Sequence, residues 1–121
     1  MERELRRTQS MWNDIPVEQM NPLLARQVRH CDTMTVARIS MRQSCIVPEH
    51  SHHNEQVSFI QSGRMKFVVG GVERLLGPGD SVLMPPNVPH WVEALEDSVI
   101  VDVFVPRRED WIRGDDAYLR K

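Results

Sequence analysis

The segment of residues 48–63, PEHSHHNEQVSFIQSG, contains the side chains of this chain that are best suited to binding a metal ion. Alternate residues of an extended strand point to the same face of a sheet. His50, His52 and Gln56 share this parity, so two imidazoles and one amide oxygen can converge on one ion. Glu55 falls on the opposite face, and the pattern therefore selects the glutamine as a ligand instead of the glutamate.

A third imidazole follows a proline-rich approach in residues 83–90, LMPPNVPH. The three prolines enforce an extended and bent path that ends on His90. Three neutral imidazoles and one amide oxygen suit one divalent metal ion, which we expect to be zinc, nickel, iron, cobalt or manganese, and they leave room for water or substrate. We interpret His30 as a hydrogen-bonded structural residue and place His53 at the rim of the pocket or in solvent.

The elements that must position these ligands are short strands. From residue 35 onwards, apolar stretches of about four to eight residues are separated by glycine, proline, asparagine or aspartate, which predicts strands joined by tight turns. The predicted strands are Thr35–Met41, Gln56–Gln61, Arg64–Val69, Val72–Leu76, Ser81–Met84, Val88–Ala94 and Ser98–Val105. No long amphipathic helix competes with them, so the sequence predicts an all-β sandwich or small barrel.

Length and charge exclude several classes of protein. The 121 residues suffice for one domain, and a formal net charge of −2 argues against nucleic acid and anionic membranes as partners. No apolar stretch approaches the roughly 20 residues that cross a bilayer, and the charged N-terminus does not have the pattern of a secretory signal. Cys31 and Cys45 match no paired-cysteine metal spacing, so we expect reduced thiols and a cytoplasmic protein.

We expect three parts within this single domain. Residues 1–33 are polar and mixed, and are predicted to form an arm with short strands packed on the barrel. Residues 34–106 carry the strand pattern and form the barrel itself. Residues 107–121 are again polar and are predicted to form a tail that packs on the barrel through Trp111 and Tyr118.

The first histidine segment resembles a motif of the cupin superfamily. His50-x-His52-x3-Gln56-x6-Gly63 resembles the pattern HxH(x)3–4E(x)6G, with glutamine at the position of the glutamate. The resemblance implies a jelly-roll barrel, or double-stranded β-helix, with one metal ion held by the ligands of this motif and of the next one.

The second segment resembles the other cupin motif, G(x)5PxG(x)2H(x)3N. Gly79-x5-Pro85-x4-His90 matches it, with Asn87 in place of the second glycine and Ala94 in place of the asparagine. Asparagine tolerates a left-handed backbone conformation, so the first replacement is a mild change.

Longer stretches resemble the small cupins of the pectin-degradation KdgF group. These stretches are HSHHNEQVSFIQSG, GPGD, PPNVPH, VDVFVPRREDW and DDAYLR. The resemblance implies glutamine as the fourth metal ligand, and conversion of 4,5-unsaturated uronates, the products of polysaccharide lyases, into linear keto forms. It also implies Asp102, Phe104 and Arg108 as pocket residues. His53-Asn54 stands where the relatives tend to have Pro-His, which changes the mouth of the pocket.

The residue types in the last strand fit this chemistry. Asp102 and Phe104 share parity and can both face the metal. An aspartate there can move a proton between oxygen and carbon, the planar fork of Arg108 suits a carboxylate, and the phenyl ring offers an apolar wall. Alternatively, Arg108 pairs with neighbouring acidic residues at the surface and Phe104 belongs to the core. An unpaired carboxylate among valines is costly, which favours a functional role for Asp102.

Three functions stay open on the sequence alone. The first is a metal-dependent isomerase or lyase-type enzyme that opens and tautomerises a 4,5-unsaturated uronate or a similar acidic, sugar-like compound. The second is an iron-dependent dioxygenase, and the third is a non-catalytic module that binds a small molecule. In each case the expected partner is a small molecule that bears a carboxylate. We also expect a homodimer, because small barrels often cover their sheet edges by pairing.

Overall fold

The computed structural model describes residues 11–121, which form ten antiparallel strands in two sheets around one apolar core. The strands are β1 (Glu18–Asn21), β2 (Leu24–His30), β3 (Thr35–Met41), β4 (Ile46–His50), β5 (Glu55–Ser62), β6 (Met65–Val69), β7 (Val72–Leu76), β8 (Ser81–Met84), β9 (His90–Ala94) and β10 (Ser98–Val105). The larger sheet has the order β1-β2-β3-β10-β5-β8, and the smaller one β4-β9-β6-β7. The predicted all-β class is confirmed.

The predicted bounds of four strands, β3, β7, β8 and β10, are the same as those in the structure. β9 begins at His90 and not at Val88, because the intervening Pro89 has no N–H to donate to the ladder. β4 was not predicted at all. It contains Pro48, where its register against β9 shifts, and proline is a poor strand signal for the same reason.

The predicted N-terminal arm extends the larger sheet where the structure describes it. β1 and β2 pair with each other, and β2 pairs with β3 along its full length. Residues 1–10 of that arm lie outside the described residues. Within residues 11–121 no helix has the length and apolar character needed to cross a membrane. Both cysteines are free thiols, as expected.

Strand alternation carries polar side chains into the interior of the larger sheet. Asp102 and Phe104 of β10 are both buried, as the period of two requires. The register places Asp102 between Ala37 of β3 and Ser58 of β5, and places Phe104 beside Gln56 of β5. The neighbouring interior positions are apolar and include Ile39, Met41, Met65, Phe67, Val92 and Ile100. One end of the core is therefore polar, and it is the end at which the histidines lie.

Two left-handed backbone positions explain residues of the motifs. Gly63 connects β5 to β6 at φ +87°, and a Cβ added there would lie 2.2 Å from Oγ of Ser98 and 2.4 Å from the carbonyl oxygen of Asp97. Glycine is therefore required for both conformation and space. Asn87 has φ 64°, the conformation in which asparagine can replace glycine.

The C-terminal segment, residues 107–121, packs over the interior between the sheets. It contains a short helix, α1 (Glu109–Ile112), and a 3-10 turn (Ala117–Leu119). Trp111 and Leu119 are buried and belong to the apolar core. The segment therefore forms part of the wall around the polar end of the core.

A buried ion pair connects this segment to the larger sheet. Asp116, whose side chain is 2% exposed, accepts a hydrogen bond from Nη2 of Arg26 on β2. Nε of Arg120 donates to the same carboxylate over 3.1 Å. Burial raises the pKa of Asp116, but the hydrogen bonds from Arg120 and Arg26 outweigh it, so the pKa lies below the usual 3.8.

Replacement of Gly63 by alanine should lower the free energy of unfolding by about 3 kcal/mol or more, since left-handed strain adds to a clash with backbone atoms. Gly71→Ala is the matched control: Gly71 has φ +79° but no atom within 4 Å of the added Cβ. Its cost should be the left-handed strain alone, about 1–2 kcal/mol. Urea unfolding measures both variants, and equal losses would show that the close approach at Gly63 is unimportant.

Asp116→Asn should cost about 3 kcal/mol at pH 7, because it leaves the buried guanidinium of Arg26 with the half-exposed carboxylate of Glu18 as its remaining ion-pair partner. Since the folded-state pKa is lowered, this stabilisation is present above the unfolded-state pKa of about 4 and is lost as the pH falls through the folded-state value. The difference between the two proteins should therefore narrow in acid. Asp115→Asn, which removes an exposed ion pair with Arg113, should cost less than about 0.5 kcal/mol at any pH. A wild-type advantage that persists undiminished at pH 2.5 would contradict this account.

Candidate metal centre

Three imidazoles meet at the polar end of the core. His50 ends β4 and His90 begins β9, and the two are paired in register in the smaller sheet. His52 lies in the connection from β4 to β5. One ring nitrogen from each histidine can be chosen so that all three lie within 4.8 Å of one another, a group that could hold a metal ion.

Each imidazole is oriented by a backbone carbonyl. A carbonyl oxygen can only accept, so the ring nitrogen facing it, Nδ1, must carry the proton. In a neutral ring the other nitrogen, Nε2, then presents a lone pair. The carbonyl partners of His50, His52 and His90 belong to Pro48, Asn54 and Val88, at 2.8, 3.0 and 2.9 Å.

The imidazoles are held in the neutral form that a metal requires. Burial, aided by the positive charges of neighbouring rings and of Arg108, lowers the pKa of His50 and of His52 to about 4. Burial also lowers the pKa of His90. At neutral pH all three Nε2 atoms are therefore acceptors without protons.

Gln56 lies beside the histidines and is oriented by a chain of hydrogen bonds. The hydroxyl of Ser58 donates to Oδ1 of Asp102, so its oxygen is left to accept from Nε2 of Gln56 at 3.1 Å. That arrangement turns Oε1 of Gln56 toward Nε2 of His52, 3.0 Å away.

The donor set fits a cation. With His52 neutral and its Nδ1 proton engaged by a carbonyl, Nε2 of His52 and Oε1 of Gln56 are two acceptors 3.0 Å apart, and they repel unless a positive charge lies between them. Metal–ligand bonds of roughly 2.0–2.2 Å at right angles give about this separation. Nε2 of His90 is buried and has no hydrogen-bond partner among the described residues. A metal ion would satisfy all of these atoms at once.

Residues 50–56 do not form one extended strand, as the parity of His50, His52 and Gln56 had predicted. β4 ends at His50 and β5 begins at Glu55, with His52 in the turn between them. Gln56 faces inward through the alternation of β5 alone, and Glu55 is exposed, as the pattern required. His53 is also exposed.

Asp102 and Phe104 lie in the same interior as the histidines. Burial raises the pKa of Asp102 to about 6, against the opposing effects of the hydrogen bonds from Ser58 and Gln56 and of the charge of Arg108. The ring of Phe104 lies 5.8 Å from the ring of His52, measured between centroids. The hydroxyl of Ser58 thus connects the carboxyl group of Asp102 to Gln56, and the phenyl ring of Phe104 is beside the histidines.

Arg108 is buried, at 2% exposure, and not a surface residue. Its guanidinium lies over the rings of Phe104 and Trp111, at 4.7 and 4.4 Å from their centroids. The planar fork expected to bind a carboxylate is occupied, because Nε and Nη2 donate to the two carboxylate oxygens of Asp110 at 3.0 and 2.8 Å. All side-chain hydrogen bonds of Arg108 to the described residues come from Nε and Nη2, and Nη1 donates none.

Two of the three histidines, His50 and His90, line a partly open cavity in which the centre of a water molecule has about 50 Å³ available. Its wall includes Tyr118, which was not predicted to take part in the site. Tyr118 of the C-terminal segment lies 4.8 Å from His50 between ring centroids, and no periodicity in the sequence could have indicated this. Ser58, which links Gln56 to Asp102, was not predicted either, but it was identifiable because it shares parity with Gln56 on β5. The wall otherwise includes His50, Gln56, His90, Asp102, Phe104, Arg108 and Trp111.

Known proteins share this sequence pattern. A cupin domain model matches residues 38–105. The pectin degradation protein KdgF of Dickeya dadantii is 26% identical over 103 residues, which cover 83% of this chain and 94% of that protein. The acireductone dioxygenase of Bacillus subtilis is 37% identical over 71 residues, but the match covers 53% of this chain and 39% of the dioxygenase.

Solved structures share the fold. KdgF from Halomonas sp. superimposes with a TM-score of 0.79 at 25% identity, over 84% of this chain and 94% of that one. An RmlC-like cupin from Shewanella frigidimarina gives a TM-score of 0.80 at 28% identity, over 84% and 93% of the two chains. The two-sheet architecture, the histidine cluster and the domain match agree, and the chain belongs to the cupin family.

Proposed function

We propose that this protein is a metal-dependent isomerase that opens a 4,5-unsaturated uronate, or a similar acidic and sugar-like compound, to its linear keto form. The observation that carries the proposal is the hydrogen-bonded chain from Gln56 through Ser58 to Asp102, which holds a buried carboxyl group in the cavity that two of the three convergent imidazoles line. The match to the pectin degradation protein KdgF, along nearly the whole length of that protein, supports this class of substrate.

The metal would be held by Nε2 of each histidine and by Oε1 of Gln56. When bound, a divalent ion supplies Lewis acidity toward a hydroxyl, carbonyl or enolate oxygen. All four protein ligands are neutral, so the ion keeps its full charge for that purpose, whereas a glutamate at position 56 would cancel part of it.

The proposed reaction is an isomerisation with no net gain or loss of atoms. The hydroxyl on C1 loses its proton while the bond between C1 and the ring oxygen breaks, and the ring oxygen gains a proton to become the enol hydroxyl on C5. The enol then loses that proton and C4 gains one, which gives the ketone. Each step moves a proton between a substrate atom and a nearby acid or base.

Asp102 is the group we assign to these proton transfers. Its Oδ1 is held by Ser58, and the carboxyl group lines the cavity beside the histidines. We assign substrate binding to Arg108, which would use its unpartnered Nη1 for the substrate carboxylate, and to Phe104, which would pack against the ring. The Arg108–Asp110 pair keeps the guanidinium in place for that contact.

An iron-dependent dioxygenase is the second candidate, because acireductone dioxygenases match about half of this chain. Three imidazoles and one further ligand can hold ferrous iron. The two reactions differ in their need for oxygen, so an assay under anaerobic conditions separates them.

His52→Ala should lower the metal content of the purified protein to below about a tenth of wild type, because it removes one of three nitrogen ligands and the partner of Gln56. His53→Ala is the matched control, since this neighbouring histidine is exposed and does not belong to the three-histidine group. Elemental analysis after dialysis measures both variants. Full occupancy in the His52 variant would contradict the ligand set.

Asp102→Asn should slow the loss of ultraviolet absorbance of a 4,5-unsaturated uronate by about 10²–10⁴-fold, the usual contribution of a positioned acid or base. Its metal content should stay at the wild-type level. Asp32→Asn, in an exposed turn between β2 and β3, should keep the wild-type rate.

The same assay decides between the candidates. Turnover that requires oxygen would favour the dioxygenase. A wild-type protein that binds the uronate without consuming it, and whose Asp102→Asn variant binds it equally well, would be a binding module and not an enzyme.

A further inference from the structure

The C-terminal segment places Tyr118 in the cavity wall, and its hydroxyl has no role in the reaction described above. We propose that it donates a hydrogen bond to an oxygen atom of whatever molecule occupies the metal centre. The proposal rests on the proposed function only in requiring a metal ion and an oxygen ligand there, and it extends to any oxygen ligand, substrate or not.

Both lone pairs of this hydroxyl are already engaged. Nη2 of Arg108 donates to it over 2.8 Å, and Nε1 of Trp111 donates to it over 3.1 Å. Guanidinium and indole nitrogens carry protons and accept nothing, so the direction of both hydrogen bonds is fixed. The oxygen of Tyr118 thus accepts two hydrogen bonds. The proton of the same hydroxyl has no acceptor among the described residues.

The ring of Tyr118 is packed against a predicted metal ligand. Its centroid lies 4.8 Å from that of His50, with 37° between the ring planes. The side chain lines the same cavity as Gln56, His90 and Asp102. A ligand bound beside the histidines is therefore close to this residue.

The hydrogen bonds fix the polarity of the contact as well as its position. A hydroxyl with both lone pairs occupied can only donate, so the ligand atom beside it must be an acceptor. Donation from a charged guanidinium polarises the O–H bond and strengthens what it donates in turn. The chemistry that fits is a carboxylate, enolate or carbonyl oxygen, and a ligand that presents an N–H group there is disfavoured.

The buried surroundings hold the hydroxyl in this position. Tyr118 lies in the 3-10 turn Ala117–Leu119, whose Leu119 packs in the apolar core. Asp116, directly before the turn, is paired with Arg26 of the larger sheet. The donor is thus preorganised, which is the condition for a single hydrogen bond to contribute measurably to affinity.

Acetate and imidazole are suitable probes of the cobalt-loaded protein, because both bind metal ions but only acetate presents a free oxygen acceptor. Tyr118→Phe should weaken acetate binding about tenfold, as expected for a hydrogen bond to a charged group, and leave imidazole binding within about twofold of wild type. Titration of the cobalt absorption bands measures both affinities.

Trp111→Phe is the matched variant, because it removes one of the hydrogen bonds that Tyr118 accepts but leaves the hydroxyl proton in place. Its acetate affinity should fall by less than about threefold. If the hydroxyl were only a structural link between Arg108 and Trp111, the two variants would lose similar amounts of stability, and neither would distinguish acetate from imidazole. That pattern would overturn the proposal.

Tyr118 is the single tyrosine of the chain, so 3-fluorotyrosine introduces one fluorine reporter at this position. In the zinc-loaded protein its ¹⁹F resonance should move during an acetate titration, with the same midpoint as acetate binding. A resonance that stays fixed at saturation, or a protein that binds no acetate at molar concentration, would also overturn the proposal. Since acetate is not a substrate, these outcomes are independent of the uronate assay.

Discussion

The site depends on three hydrogen bonds to nearby backbone carbonyls that aim imidazole lone pairs at one point. His50 and His90 each donate Nδ1–H to the carbonyl two residues earlier, and these two histidines face each other across β4 and β9. His52 uses the carbonyl two residues later. Because each partner is local backbone, the ligand geometry is fixed by the path of the chain, and it needs few side chains beyond the ligands themselves. Prolines restrict this path on both sides, at position 48 before His50 and at position 89 before His90.

A second layer of buried hydrogen bonds fixes these loops relative to one another. The backbone N–H of Asn87 donates to the carbonyl of His52 over 2.8 Å, which connects the two motif loops directly. The side chain of Asn54 donates to the carbonyl of Pro106 over 2.6 Å, at the start of the C-terminal segment. Thr35 accepts from the backbone N–H of Arg108 over 2.8 Å. The loops that carry the ligands and the segment that closes the cavity therefore behave as one connected unit, although they are distant in sequence.

The sequence predicted most of what depends on local pattern. The bounds of four strands follow from apolar alternation and turn residues, and the inward direction of Asp102 and Phe104 follows from parity on β10. The sequence did not predict features that depend on contacts between distant parts of the chain. β4 was missed because Pro48 masks an edge segment that pairs only through β9. The occupied fork of Arg108 depends on the turn into α1, and the position of Tyr118 depends on how the C-terminal segment folds back, so neither leaves a periodic signal.

Charge pairing within the cavity wall narrows what attracts a substrate. Arg108 is matched by Asp110 and Arg26 by Asp116, so neither guanidinium contributes a large uncompensated charge. The four proposed ligands are neutral, and a bound divalent ion would therefore be the dominant positive charge of the cavity, opposed by Asp102 across the Ser58 hydroxyl.

Long-range attraction of an acidic molecule would come from the ion. An unpaired charge attracts an anion over several ångströms in a poorly solvated interior, whereas the charge of a paired guanidinium is largely cancelled by its partner. In the proposed complex, a hydrogen bond from Nη1 of Arg108 would orient the substrate carboxylate, and it would add no net charge to the attraction. A glutamate at position 56 would weaken that attraction, and it would also lose the hydrogen bond that Nε2 of Gln56 donates to Ser58.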